Sequence, residues 1–113
     1  SLYLIGVDST SSLIFEDCVF TDRLYFTDAH LKTLIFNNCW LPGIDGYRTT
    51  IDSAFFIRNN SEIYGSVNLN EAYIGGGIDL SKSKIMASSS TPAIDLNSAS
   101  NQIKYVLNCK YRR

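Results

Sequence analysis

Between Leu13 and Leu41 the chain writes one phrase three times: Leu13-Ile14-Phe15-Glu16-Asp17-Cys18-Val19-Phe20, Leu24-Tyr25-Phe26-Thr27-Asp28-Ala29-His30-Leu31 and Leu34-Ile35-Phe36-Asn37-Asn38-Cys39-Trp40-Leu41. Each phrase is a large apolar residue, a spacer, a second large apolar residue, two mostly polar residues, a small residue, a spacer and a third large apolar residue. The copies begin at 13, 24 and 34, so they lie 11 and then 10 residues apart. A short, nearly fixed period marks a repeat architecture, in which each unit buries its apolar face only by stacking on the next.

Carried outward, the template finds copies starting at 2, 13, 24, 34, 44, 55, 67, 78, 94 and 105. Asn60 falls on the small slot of the copy at 55. The wide step before Ile94 predicts that the segment Met86 to Thr91 leaves the regular path. Within each copy the apolar residues alternate with period 2, β-branched and aromatic residues dominate, and Gly, Asn, Asp and Ser recur every ten or so positions. That pattern predicts strands and turns rather than helix. Ten copies taken two at a time predict an all-β fold, a parallel β-helix of about five coils of 21–22 residues with strands stacked about 4.8 Å apart. Residues 1–113 are expected to form a single β-solenoid domain, and a repeat already under way at Leu2 with no initiator Met suggests a piece of a longer chain.

The small residue two positions before a large one (Cys18 and Phe20, Ala29 and Leu31, Cys39 and Leu41, Ala72 and Ile74) resembles the pattern of pentapeptide-repeat proteins and their looser relatives. The stretch from Gly65 to Ser81, with Ala72-Tyr73-Ile74-Gly75-Gly76-Gly77-Ile78-Asp79-Leu80 at its heart, is similar to the repeat region of large bacterial proteins labelled membrane-associated oxidoreductases. Pro92-Ala93-Ile94-Asp95-Leu96 echoes the same phrase. The resemblance implies a right-handed, quadrilateral β-helix and no chemistry, because no redox motif accompanies it.

The formal charge is -1, from 10 Lys and Arg against 11 Asp and Glu, so no strong field draws in nucleic acid. No apolar run approaches the roughly 18 residues that would cross a bilayer as a helix. Cys18 and Cys39, 21 residues apart, should stack one coil above the other as buried small residues. Cys109 should lie too far along the rod to join them. Cysteine usage fits a reducing, cytoplasmic setting. No cysteine or histidine cluster has zinc-ligand spacing, so neither metal nor cofactor is expected.

His30, the single histidine, sits at a spacer that should meet solvent, with no nucleophile beside it. Asp17 and Asp28 belong to opposite half-coils, as do Asp79 and Asp95, so no carboxylate pair is placed for acid–base work. Asp17, Asn38 and Asn59 recur at 21-residue steps and should take turn conformations while bonding their own backbone. Gly75-Gly76-Gly77 precedes a strand and is expected to be a tight or bulged corner rather than a phosphate loop.

The outward slots carry the functional signal. Ile14, Ile35 and Phe56 share one slot in successive coils, and Val19 and Trp40 share another in the same half-coils, so the five should form an apolar strip. The opposite half carries Tyr3, Tyr25, Asp45 and Asn68 in the corresponding slot. An exposed apolar strip containing Trp marks an interface. The expected function is therefore a non-catalytic scaffold or protein-interaction module that meets a protein partner or a second copy, as in a homodimer, through Ile14, Val19, Ile35, Trp40 and Phe56. Two alternatives remain from other classes. A DNA mimic acting on a topoisomerase, implied by the pentapeptide-repeat resemblance, would need an acidic rod. A carbohydrate-active β-helix would need a carboxylate cluster in a groove.

Overall fold

The computed structural model describes residues 2–9, 11–86, 94–95 and 109–112. Among them there is no helix, and every pairing of named strands is parallel. In chain order the strands are β1 (Leu2–Tyr3) and β2 (Leu13–Glu16); then β3 (Leu24–Tyr25), β4 (His30–Leu31), β5 (Leu34–Asn37) and β6 (Trp40–Leu41). Next come β7 (Ile44–Asp45), β8 (Thr50–Ile51), β9 (Phe55–Arg58) and β10 (Glu62–Ile63). They are followed by β11 (Val67–Asn68), β12 (Tyr73–Ile74), β13 (Ile78–Asp79) and β14 (Ser83–Met86), and by β15 (Ile94–Asp95) and β16 (Cys109–Arg112).

These strands stack into four parallel sheets. The first face orders β1-β3-β7-β11-β15, the second β4-β8-β12, the third β2-β5-β9-β13 and the fourth β6-β10-β14-β16. Single bridges from Asp8 to His30 and from Val19 to Trp40 carry the second and fourth faces into the preceding turn. The runs β3–β6, β7–β10 and β11–β14 each pass once through all four sheets, so the chain is a β-solenoid with three full turns of strands on every face.

One sequence copy is one corner, with a strand before it and a strand after it. Leu24, Phe26, Ala29 and Leu31 of one copy, and Leu34, Phe36, Cys39 and Leu41 of the next, are all at most 2% exposed. Alternation along each strand sends the intervening spacers outward. The interior stacks side chains over their equivalents one turn on: Phe15 lies over Phe36 with ring centroids 5.2 Å apart and Phe36 over Ile57, while the Phe55 ring, in the next layer over Leu34, meets Phe36 diagonally at 6.3 Å. Burying each such ring fully contributes on the order of 1.5–3 kcal/mol.

Corners demand left-handed backbone, which costs most L-residues about 1–2 kcal/mol and Asn or Asp least. At the corner between the third and fourth faces Asp17, Asn38, Asn59 and Lys82 have φ of 55°, 52°, 57° and 57°; at the corner between the first and second faces Asp28, Arg48 and Glu71 have 59°, 55° and 58°. The polar residue before each small slot is there for its backbone. The expected side-chain bonds to the local backbone arise elsewhere, however. Asp45, Asn68 and Asp79 accept the amides of Tyr47, Asn70 and Ser81 two residues on, at 3.3, 2.9 and 2.9 Å. Asn38 instead donates to the Asp17 carboxylate at 2.8 Å.

The small slot of the copy at 55 belongs to Ser61, not Asn60. Asn60 is exposed with φ 67°, directly after Asn59 at 57°, so this corner holds two successive left-handed residues and one extra position. Ser61 turns inward and is wholly buried. Its hydroxyl donates to the Arg58 carbonyl at 2.8 Å and accepts the Cys39 amide at 3.0 Å.

The corner at Gly75-Gly76-Gly77 is tight, as expected. A Cβ at Gly75 or Gly76 would collide with the Asp52 or Ser53 carbonyl of the previous turn, and Gly77 sits at φ 105°. The copy at 94 aligns as its template requires, Ile94 over Val67. Of the segment Met86 to Thr91, Met86 ends β14 and the rest lies outside the described residues, as does the copy starting at Tyr105.

Candidate functional site

The third and fourth faces meet at the corner of Asp17, Asn38 and Asn59, and they hold all five residues singled out by the outward pattern. On the third face Ile14 lies over Ile35 and Ile35 over Phe56, with Asp79 ending the ladder. On the fourth, Val19 bridges Trp40, which pairs with Glu62, which pairs with Lys84. Parallel stacking gives this alignment directly, because register repeats once per turn.

The five are not equally open. Val19 is 75% exposed, Ile14 51% and Trp40 38%, whereas Ile35 and Phe56 are half-buried. Phe56 is covered by its own strand: the Arg58 guanidinium lies 4.5 Å from the ring centroid and its Nε donates to Asn37 Oδ1 at 3.0 Å. Sequence reasoning missed Tyr64, 43% exposed, whose ring lies 4.9 Å from that of Trp40 at an angle of 32°. The Tyr64 hydroxyl donates to Glu62, and that bond raises the phenol pKa above its usual 10. Residue spacing alone gives no signal for Tyr64, since it stands past the end of the β10 strand rather than on a spacer.

Beside Trp40 the corner opens into a cleft of about 270 Å³ lined by Asp17, Cys18, Val19, Asn38, Cys39, Trp40, Asn60 and Glu62. Tyr64 is not among these residues and packs on the Trp40 ring from outside the cleft. Cys18 and Cys39 sit on its floor as free thiols, half-buried and buried respectively. Their sulfurs donate to the carbonyls of Glu16 at 3.2 Å and of Phe15 at 3.3 Å. Burial pushes the Cys39 thiol pKa above 9.0, which makes it a poor nucleophile at neutral pH. Cys109 lies over Ser83, so it stands further along the same column of corner positions as Cys18, Cys39, Ser61 and Ser83.

On the second face His30 meets solvent, as its spacer slot predicts. His30 is not simply a solvated histidine: Nδ1 lies 3.1 Å from Asp8 of the turn before, and Nε2 lies 2.9 Å from Asp52 of the turn after. The Asp52 bond is the main cause of a pKa raised above 6.5, with both carboxylates adding charge attraction. Imidazolium, with both ring nitrogens donating, is the form that satisfies both partners. The first face carries the ladder its spacing predicts, Tyr3 stacked on Tyr25 at 4.8 Å and then Asp45 and Asn68.

Asp17 and Asp28 lie at different corners, as expected of opposite half-coils. No group of three or more His, Cys, Asp or Glu side chains among the described residues is arranged to hold a metal ion. No helix among them is long and apolar enough to cross a membrane. No family model, curated protein or solved structure matches this chain.

Proposed function

We propose that this chain is a rigid, non-catalytic scaffold that binds a protein through its third and fourth faces, the contact residues being Ile14, Val19, Ile35, Trp40 and Phe56. In this reading the solenoid is right-handed, runs to five coils and works in the cytoplasm. The observation that carries it is the register, Ile14 over Ile35 over Phe56 beside Val19 over Trp40, which gathers apolar side chains from three turns onto two adjoining faces. The corresponding ladders of the other two faces hold polar groups and tyrosines instead, Asp8, His30, Thr50 and Tyr73 on the second and Tyr3, Tyr25, Asp45 and Asn68 on the first. Exposed apolar surface rimmed by polar groups is costly in a free monomer and is found where a partner sits. A flat, repeating surface also suits an extended partner, since side chains spaced about 4.8 Å apart offer a regular row of contacts.

The test is the double variant Ile35→Ser, Trp40→Ser. Both side chains point out of the strand, so circular dichroism and the melting temperature should change little, while sedimentation and affinity capture should lose the associations made by the unaltered chain. A double variant that unfolds, or that sediments and captures as before, overturns the proposal.

A further inference from the structure

The surface uses one recipe three times, an aromatic ring beside an oxygen acceptor at a corner, and two of the three places are filled by the chain's own arginines. The Arg48 guanidinium lies 4.9 Å from the Tyr47 ring centroid and its Nε pairs with Asp28 at 2.9 Å. Arg58 lies over Phe56 and donates to Asn37. The third place is the cleft at Trp40, lined also by Asp17, Val19, Asn38, Asn60 and Glu62, where, among the described residues, the acceptor Glu62 takes a hydrogen bond from Tyr64 but no cation. Among the described residues neither Asp17 nor Glu62 is in an ion pair, and Lys84, next to Glu62 in the ladder, makes none with it.

Resting on the reading of these faces as a contact surface, we infer that the Trp40 cleft receives an arginine side chain from the protein partner. The guanidinium stacks on the indole and meets the carboxylates of Asp17 and Glu62, while the arginine stem lies against Val19. Trp is the strongest cation–π acceptor among the side chains, and a planar guanidinium can stack and hydrogen-bond at once where an ammonium cannot. The Tyr64 bond to Glu62 fixes that carboxylate beside the indole, and the Asn38 bond does the same for Asp17. Orienting the acceptors in advance reduces the entropy lost on binding.

Trp40 is the only tryptophan in the chain, so its fluorescence reports on the cleft alone. The probe is a terminally blocked peptide, acetyl-Gly-Leu-Arg-Leu-Gly-amide, compared with versions carrying citrulline or lysine in place of arginine. The arginine peptide should change the emission saturably, binding about tenfold more tightly than the citrulline peptide and more tightly than the lysine peptide. The variant Asp17→Asn, Glu62→Gln should weaken the arginine peptide by about the same factor, with an unchanged circular dichroism spectrum. Asn is chosen because it tolerates the left-handed backbone at this position. Equal binding of arginine and citrulline peptides, or no saturable change with the arginine peptide, overturns the inference. If that happens while Ile35→Ser, Trp40→Ser still abolishes association, the contact surface stands and only its arginine preference is lost. If the double serine variant associates normally, the surface itself is wrong.

Discussion

Phe55 and Phe56 are the same side chain on consecutive positions of one strand, and the fold assigns them opposite surroundings. Phe55 is wholly buried against Phe36, whereas Phe56 is half-buried on the outside beneath Arg58. Truncation of Phe55 to Ala removes a ring from a packed interior and leaves a cavity that the neighbouring turns close only partly. That change should cost about 3–5 kcal/mol. The same truncation at Phe56 loses a partly solvated ring and an exposed cation–π contact, together about 1 kcal/mol. Because both substitutions exchange the same residue types in the same strand, differences in strand propensity largely cancel. Urea unfolding followed by circular dichroism is the assay. With a slope of about 1–3 kcal/mol per molar urea, Phe55→Ala should lower the midpoint by more than about 1 M and Phe56→Ala by clearly less. Trp40 fluorescence supplies a second probe one turn away, which checks that the turns unfold together. Equal losses at the two positions, or a greater loss at Phe56, would refute the assignment of inside and outside on which the proposed contact surface depends.

Three further outcomes follow from particular contacts. His30 has a raised pKa, so the stability it lends by tying Asp8 to Asp52 is fully present below its unfolded value near 6.5 and is lost as pH rises through the folded value. Melting temperature should therefore fall as pH is raised from about 6.5, and His30→Gln should flatten that slope; a slope of opposite sign contradicts the pairing. Ser61→Ala deprives the buried Cys39 amide of its acceptor and should cost about 1–3 kcal/mol by urea unfolding, against nearly nothing for Asn60→Gly on the exposed side of the same corner, where φ is 67°. Asn38→Gly should be milder than Asn38→Ala by about 1 kcal/mol, since Asn38 has φ 52° and only glycine adopts that conformation freely.

Much of this fold is written in the chain as a count. The phrase from Leu24 to Leu31 names its own interior, because a solenoid needs every large position of every copy to face one lumen, and Leu24, Phe26 and Leu31 do. The outward strip was legible for the same reason: period 2 within a strand and a nearly constant turn length together place Ile14, Ile35 and Phe56 in one row. The template fails where length changes at a corner. Asn59 and Asn60 are both residues that accept left-handed backbone, and nothing in their identity says whether one or two will do so; the extra residue shifts the small slot to Ser61. Partners across turns were also hidden. His30 meets Asp8 as its direct partner in the ladder and reaches diagonally to Asp52, two positions past its partner Thr50, a cross-turn contact that a repeat template does not specify. Tyr64 escaped notice because it lies between copies, where the periodic pattern makes no statement.

The proposed contact surface rests on residues one turn apart standing side by side in parallel register. Nuclear magnetic resonance of the isotope-labelled chain measures this most directly, through proton–proton contacts between backbones at the third face. The account predicts contacts linking Ile35 to Ile14 on one side and to Phe56 on the other, in the staggered pattern of parallel strands. Close Hα–Hα contacts of the antiparallel kind at these positions, or contacts from Ile35 to residues three and four along the chain as in a helix, would contradict it.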